Sequence, residues 1–202
     1  PSPTPPLQRG SDEDQADDLL AEARFLAGPA FEAHLAKLTG EYRAGPFRPL
    51  RDKNSLEAPA ERMGEYFKAM FARHRSPAGV AARAAGDEQN GRIVGLVAPH
   101  LDYARGAPCY ALVYAGLAGR TEATRFVILG TNHFGRSLAV VGTRKGFETQ
   151  AGVIPHDDDL MRRLDARCGL DLCEFEYDHV REHSIELQAM LLRYVLNGRP
   201  LT

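Results

Sequence analysis

The sequence predicts an α/β fold in which helices cover both faces of a sheet. Three short apolar runs, at 92–97, 125–129 and 138–141, predict the strands of that sheet. Their apolar residues are continuous rather than alternating, which is typical of strands that are buried on both faces. Stretches with apolar residues at helical spacing lie before, between and after these runs, and this arrangement favours a sheet with helical layers.

The composition is that of an ordinary globular chain, and it excludes several classes of protein. Of the 202 residues, 44% are hydrophobic and 26% are charged, as in typical folded domains. The net charge of −2 argues against a nucleic-acid binder, because such domains are usually clearly basic. The longest apolar stretch holds about ten residues, whereas a membrane span needs about 20. We therefore expect neither nucleic acid nor a membrane as a partner.

The cysteines indicate the redox environment. Cys109, Cys168 and Cys173 are an odd number and contain no CxxC pair. This pattern favours reduced thiols over a disulfide scaffold, and it gives no sign of a zinc site. The sequence therefore predicts a cytoplasmic location.

The N-terminal quarter predicts a small appendage to the main domain. Residues 1–10 hold four prolines and are expected to be a disordered lead-in. Residues 11–50 contain two helical patterns, broken at Gly28-Pro29, and end in a linker rich in glycine and proline. The α/β domain then occupies residues 51–202. Because the chain opens on proline and stops just after a helix-end signal, we expect a fragment whose domain is incomplete at its C-terminus.

The remaining elements follow from spacing and turn signals. Amphipathic periods predict helices, a short apolar run predicts one more strand, and a stretch rich in alanine, glycine and charge predicts a surface loop. These are helices at 57–74, 107–119, 156–167 and 183–196, a strand at 171–176 and a loop at 76–91.

Two histidines stand at equivalent places in the predicted sheet. His100 follows the first strand after Ala98-Pro99, and His133 follows the second strand after Thr131-Asn132. In an open α/β sheet, ligands bind outside the carboxyl ends of the strands, so both imidazoles are expected in one crevice. Neutral nitrogen ligands on rigid strand ends suit a mononuclear metal ion with an open side. The alternative is that each histidine is an ordinary loop or core residue.

A third polar cluster lies at the start of the last predicted helix, at residues 178–186. His183 either caps this helix or reaches the crevice, and Glu182 or Glu186 could act as a base or orient a histidine. The alternative is a charged first helical turn, which the helix dipole favours for acidic residues. Tyr103, close behind His100, either donates its hydroxyl in the pocket or is a half-buried aromatic residue.

Other catalytic templates are missing from the sequence. It contains no GxSxG, P-loop or HExxH motif, and no GxGxxG motif follows a strand. The acidic run at 157–159 lacks the rest of an EF-hand loop, so it is interpreted as a solvated helix start. The hypothesis of a functional site therefore rests on His100, His133 and the cluster around His183.

Three motifs in a fixed order identify a family resemblance. They are VAPHLDYARGAPCYALVYAGLA from residue 97, FVILGTNHFG from 126 and EHSIELQ from 182. Together they resemble the Memo-like family, which includes the mediator of cell motility and AmmeMemoRadiSam system protein B. The stretch FETQAGVIPHDDDLMRRL from 147 stands where that family has an aromatic-x-TPLG segment followed by an aspartate. The resemblance covers residues 91–198, and the helical stretch 19–50 is similar to an extension in some bacterial members.

The resemblance implies a fold and a metal. Memo-like proteins are related to class III extradiol dioxygenases, in which a non-haem Fe(II) is bound by two histidines and a carboxylate. The matching histidines here are His100 and His133, and copper is the alternative metal. The third ligand of the animal protein is a cysteine further along the chain, with no counterpart before Thr202. The final units of the fold are expected to be missing with it.

The resemblance adds one position, Gln188, to the candidate catalytic residues and shows a departure from the family there. The expected catalytic set is His183, Glu186, Gln188 and Tyr103. Gln188 stands where the animal protein has a pocket histidine, and glutamine cannot exchange a proton at neutral pH.

Three functions remain open at the level of sequence. The first is a metal-dependent, dioxygenase-like oxidoreductase with Fe(II) or copper. The second is a non-catalytic adaptor whose pocket binds a peptide, a small molecule or a small anion. The third is an accessory protein of radical-SAM and AMME-type partner proteins. The chain has no CxxxCxxC motif, so it is not itself a radical-SAM enzyme.

Overall fold

The structure is a computed structural model. It describes residues 29–48, 50, 56–74, 93–117, 120–133, 137, 140–180 and 182–202. The predicted lead-in at 1–10, the first helical pattern and the loop at 76–91 lie outside the described residues. The chain divides into two units, Pro1–Ala44 and Gly45–Thr202.

Five α-helices and three strands make up the described secondary structure, together with two short 3-10 helices. In chain order these are α1 Pro29–Arg43, β1 Phe47–Arg48, a 3-10 turn Ala60–Arg62, α2 Met63–His74, α3 Tyr103–Leu117, β2 Gly146–Thr149, β3 Gly152–Ile154, α4 Asp158–Cys168, a 3-10 turn Glu176–His179 and α5 Ser184–Val195. The α/β class predicted from the sequence is confirmed.

Helix α1 is the described element of the first unit, and it starts at a proline. The dipeptide Gly28-Pro29 predicts a break between helices, and the structure places Pro29 as the first residue of α1. Proline is favoured there, because its fixed φ suits a helix and the first helical N–H has no partner to lose.

The sheet has three strands in the order β1-β2-β3. Strand β1 is parallel to β2, with Phe47 opposite Gly146, and β2 is antiparallel to β3, with Phe147 opposite Ile154. The residues after Gly45, interpreted as a linker from their composition, therefore contribute a strand to the second unit. A two-residue strand is too short to produce a hydrophobic period, so the sequence contains no signal for it.

The predicted strands at 92–97 and 125–129 differ from the observed structure. Their described residues form no regular ladder. Phe126 and Ile128 pack on the core, whereas Val127 and Leu129 are 67% and 83% exposed. Helices thus cover one face of this segment in the described part of the chain, not both. A continuous apolar run records which side chains avoid water, but it does not record whether a partner strand is present.

Two backbone hydrogen bonds show how the segment at 125–129 pairs with the last residue of the chain. The amide of Phe126 donates to the carbonyl of Thr202 at 2.7 Å, and the amide of Thr202 donates to the carbonyl of Thr124 at 2.8 Å. This alternation is the bonding pattern of a parallel strand pair.

The core lies where α2, α3 and α5 meet. Phe67 of α2 packs edge-to-face on Tyr103 of α3, with ring centroids 4.9 Å apart, and also contacts Tyr194 of α5. Such aromatic pairs add stability beyond the area that they bury. The helices predicted at 57–74, 107–119 and 183–196 are confirmed in type, since each presents an apolar stripe to this core.

Helix α4 confirms the helix predicted at 156–167, and its ends explain its length. The Asp157 side chain caps the N-terminus by accepting a hydrogen bond from the amide of Leu160, and Gly169 ends the helix with a φ of 67°. The predicted strand at 171–176 is wrong. Turns occupy that stretch and lead into the 3-10 turn Glu176–His179.

None of the described helices has the length and apolar character needed to cross a bilayer.

Candidate metal centre

His100 and His133 face each other at the ends of two extended segments. Their Nε2 atoms are 3.2 Å apart and their ring centroids 4.9 Å apart. The structure therefore brings together the two imidazoles that the strand-end positions predicted to share a crevice. Both rings are partly accessible to solvent, so a ligand can reach them.

His183 completes a cluster of three imidazoles. It directly precedes α5, and its side chain makes no capping hydrogen bond with that helix. Its ring stacks on that of His133, with centroids 5.0 Å apart and an interplanar angle of 9°, and lies 6.1 Å from that of His100. Of the two alternatives for His183, capping or reaching the crevice, the structure shows the second.

The carboxylate of Glu182 orients His133 through contacts with its backbone amide and its ring. It accepts hydrogen bonds from the backbone amides of His133, His183 and Ser184 at 2.8–2.9 Å. It also contacts Nδ1 of the His133 ring at 3.0 Å. Burial alone would raise the pKa of Glu182, but the hydrogen bonds from His133 and Ser184 lower that pKa to about 2. The carboxylate is therefore charged at neutral pH.

This contact determines the tautomer of the His133 ring. An ionised carboxylate can only accept, so Nδ1 of His133 carries the proton and Nε2 presents its lone pair towards His100. A carboxylate that receives the second N–H of a histidine is the usual support of a metal-binding imidazole. Both oxygens of Glu182 already accept hydrogen bonds, which favours an orienting role over direct coordination.

The geometry of the donor set fits a single transition-metal ion. Two nitrogen atoms that bind one ion at about 2.1 Å each lie no more than about 4.2 Å apart, and the observed separation is 3.2 Å. Imidazole nitrogen suits iron, copper, zinc and nickel. A second, overlapping set exists, because ligand atoms of His133, Glu182 and His183 all lie within 4.8 Å of one another.

Polar contacts also hold the backbone that carries His133. Asn132 donates from Nδ2 to Asp178 at 2.9 Å, and the hydroxyl of Ser184 donates to the carbonyl of Thr131 at 3.1 Å. At Gly130, an added Cβ would lie 2.3 Å from the Ser184 hydroxyl. Sequence reasoning missed these supports, because their partners are far apart in the chain and only the turn character of Thr131-Asn132 was visible.

Two of the expected catalytic residues lie outside the cluster. Tyr103 is fully buried, and its hydroxyl donates to the carbonyl of Leu187 at 2.9 Å. Glu186 is also buried and forms an ion pair with Arg48. These contacts tie elements of the protein to each other and place neither polar group beside the imidazoles.

Gln188 acts as a link between α5 and the backbone before His100. Its amide nitrogen donates to the carbonyl of Pro99 at 2.9 Å, and its oxygen accepts from the hydroxyl of Tyr114 at 2.7 Å. These bonds engage both ends of the amide. Of the four expected catalytic residues, only His183 is brought into the imidazole cluster.

Comparison with known proteins identifies the family. The family model described as Memo-like protein matches residues 62–200. A MEMO1 family protein of Caldivirga maquilingensis is 31% identical over 107 residues, which are 52% of this chain and 38% of that protein. A MEMO1 family protein of Desulfurococcus amylolyticus is 36% identical over 104 residues, 50% of this chain and 36% of that protein.

The match to relatives is partial in length. A MEMO1 family protein of Methanopyrus kandleri is 37% identical over 107 residues, covering 51% of this chain and 36% of that protein. The chain thus spans less than two-fifths of the curated relatives that it matches. No solved structure matches the chain. The family model nevertheless covers more than half of the sequence and confirms the resemblance carried by its motifs: this chain belongs to the Memo-like family.

Proposed function

We propose that this protein binds Fe(II), with copper as the alternative, and works as a redox enzyme related to the class III extradiol dioxygenases. The observation that carries the proposal is the pair of Nε2 atoms, on His100 and His133, that lie 3.2 Å apart. The same two nitrogen atoms lie within hydrogen-bond distance of each other, and this separation also suits two ligands of one ion. Since the chain covers only part of its relatives, the activity is a proposal about this site.

Each residue of the cluster has a distinct part in the proposal. His100 and His133 hold the metal through Nε2. Glu182 keeps the proton of His133 on Nδ1 and so keeps Nε2 available. His183, stacked beside His133, is placed to accept or donate a proton at a molecule bound above the pair, since imidazole exchanges protons near neutral pH.

The metal, when bound, would supply the one-electron chemistry and oxygen binding that no side chain of the cluster provides. Gln188 fixes the backbone before His100 instead of transferring a proton. Its amide nitrogen donates to the carbonyl of Pro99, and its oxygen accepts from the hydroxyl of Tyr114. The proton-transfer position that the animal protein fills with a histidine is therefore assigned here to His183.

The metal content of the anaerobically purified chain tests this proposal. After reconstitution with Fe(II) or Cu(I), elemental analysis is expected to find about one ion per chain, since the cluster holds one converging imidazole pair. The double variant His100→Ala/His133→Ala is expected to bind almost none. His156→Ala is the control, because that histidine lies outside the cluster and pairs with Asp158. Equal metal in all three proteins would contradict the proposal.

Two single-residue variants, His183→Gln and His100→Gln, separate the two overlapping donor sets. If His100 and His133 are the ligands, His183→Gln keeps its metal and loses the oxygen consumption measured with catechol as a probe substrate. If His133, Glu182 and His183 are the ligands, His183→Gln loses its metal while His100→Gln keeps it.

A further inference from the structure

Arg48 is the one described arginine whose side chain is almost completely buried, with 1% of its surface exposed. It lies on strand β1, upstream of the residues 62–200 that match the family model. A buried arginine is costly unless every donor has a partner. The partners of Arg48 therefore show what it does.

The guanidinium of Arg48 binds three acceptors on one side of the imidazole cluster. Its Nε donates to the carbonyl of His179 at 2.8 Å, and Nη2 donates to the carbonyl of Glu182. Its Nη1 forms an ion pair with the carboxylate of Glu186. The guanidinium carbon of Arg48 lies over the ring of Phe147 on β2, 5.4 Å from the ring centre.

These acceptors bracket the residues that build the site. Glu182, whose carbonyl receives Nη2, is the residue whose carboxylate orients His133. His183 follows it directly, and Glu186 lies in the first turn of α5. The rigid fork of arginine can hold all three acceptors at once, whereas a lysine ammonium is a single point of charge on a flexible stem.

We propose that Arg48 is a positioning residue for the metal centre: from a strand outside the family-matching segment, it fixes the backbone that presents Glu182 and His183. This inference rests on the proposed function, because it assigns Arg48 to the support of the same cluster. The alternative is that Arg48 only neutralises the buried charge of Glu186.

The variant Arg48→Lys separates these two roles. Lysine keeps the positive charge that Glu186 needs, so the fold is retained, but it loses the fork that reaches the carbonyls of His179 and Glu182. The double variant Arg48→Met/Glu186→Gln removes both charges and is a second test if the first variant is unstable. Arg193→Met is the matched control, because Arg193 also donates to two backbone carbonyls, of Arg199 and Val153, away from the cluster.

Two measurements on the full chain give the result. The first is the dissociation constant for Co(II), a visible-absorbing substitute for Fe(II). The second is the tautomer of His133, read from imidazole nitrogen shifts in the metal-free protein by long-range proton–nitrogen NMR. Circular dichroism establishes that each variant is folded.

We expect Arg48→Lys to bind Co(II) at least about tenfold more weakly. About tenfold is the lower end of the loss seen when a residue that orients a metal ligand is replaced. The Nδ1-protonated form of His133 should also be less populated, while Arg193→Met matches the unaltered protein in both measurements. Unchanged affinity and tautomer in a folded Arg48→Lys would overturn the proposal and leave metal binding intact. If the unaltered protein binds neither Co(II) nor Cu(I), the proposed function fails, and the tautomer of His133 alone decides the role of Arg48.

Discussion

At the scale of single residues, Glu182 is the clearest case of a side chain whose role follows from its partners. Its carboxylate is nearly buried, yet it remains ionised because three backbone amides and one imidazole direct hydrogen atoms towards it. Such charge-assisted bonds are about twice as strong as neutral ones. The charge of Glu182 thus organises both the His133 ring and the start of α5.

Replacing Glu182 by glutamine should weaken metal binding by about 10–100-fold, the usual effect of losing a carboxylate behind a metal-binding histidine. Glutamine has one acceptor oxygen, and its NH₂ group faces N–H donors with which it cannot bond. Isothermal titration of the metal into Glu182→Gln measures the change. Glu174→Gln, at an exposed position, is the control, and equal affinities in the two variants would contradict the orienting role.

Cys173 provides a test that depends on pH. It is 1% exposed, and burial raises the pKa of its thiol to about 12. At pH 8 the native protein should therefore react with iodoacetamide at the exposed Cys109 and Cys168 but not at Cys173. Peptide mass spectrometry of the labelled protein identifies the sites, and labelling of Cys173 at the rate of the other two would contradict the prediction.

The same raised pKa has a consequence for stability. The thiol ionises in the unfolded chain from about pH 8.5, but the folded protein keeps its proton until much higher pH. Between these values the unfolded state is favoured by losing a proton, so stability is full below pH 8.5 and falls as pH rises. The stability difference between the unaltered protein and Cys173→Ala, measured by urea unfolding, should shrink over this range.

At the scale of elements, the imidazole cluster lies where the segment before His133 approaches α5 closely. Gly130 lies at this approach, where a Cβ would meet Ser184 at 2.3 Å and Ile185 at 2.8 Å. Both distances are shorter than real Cβ contacts, so the side chains of Ser184 and Ile185 or the segment itself must shift. The absence of a side chain at Gly130 leaves room for Ser184.

The variant Gly130→Ala should therefore be destabilised by about 1–3 kcal/mol, the usual cost of overpacking a tight contact, and should also bind metal more weakly. Thermal unfolding and metal titration measure the two effects. Gly95→Ala is the matched control on the other histidine-bearing segment, since a Cβ there has no atom within 4 Å. If Gly130→Ala had the same stability and metal affinity as Gly95→Ala, the contact with α5 would have room for a methyl group, and the prediction would be wrong.

At the scale of the whole molecule, an unusual feature is the exposure of apolar side chains on the segments that lead to His100 and His133. Val94 and Val97 are 87% and 91% exposed, and Leu129 is 83% exposed. They belong to the two segments that end in His100 and His133. Where exposed apolar side chains lie together, the surface is typical of interaction sites and of association.

The isolated chain should accordingly bind the dye ANS and associate at higher concentration, because these side chains gain free energy when they leave water. The double variant Val97→Lys/Leu129→Lys should lower the ANS fluorescence and shift sedimentation velocity towards the monomer. Leu170→Lys, which changes an exposed leucine elsewhere, serves as the control. Equal ANS binding by the unaltered chain, the double variant and Leu170→Lys would show that these segments do not form an apolar binding surface.

The sequence predicted features that depend on local patterns. Helices α2 to α5 were predictable because apolar residues recur on one face of each. The pairing of His100 with His133 was predictable because both follow an extended apolar run. Strands β1, β2 and β3 were not predictable, since they are two to four residues long.

What the sequence by itself determined is the helical framework, the two histidines that follow extended apolar runs and the membership of the Memo-like family. The tertiary structure decided which polar residue has which role. It placed Arg48 against Glu186, 138 residues away, and Glu182 against His133, 49 residues away. A buried polar side chain takes its role from the donors and acceptors around it. Here those partners come from distant parts of the chain, so no local pattern could reveal them.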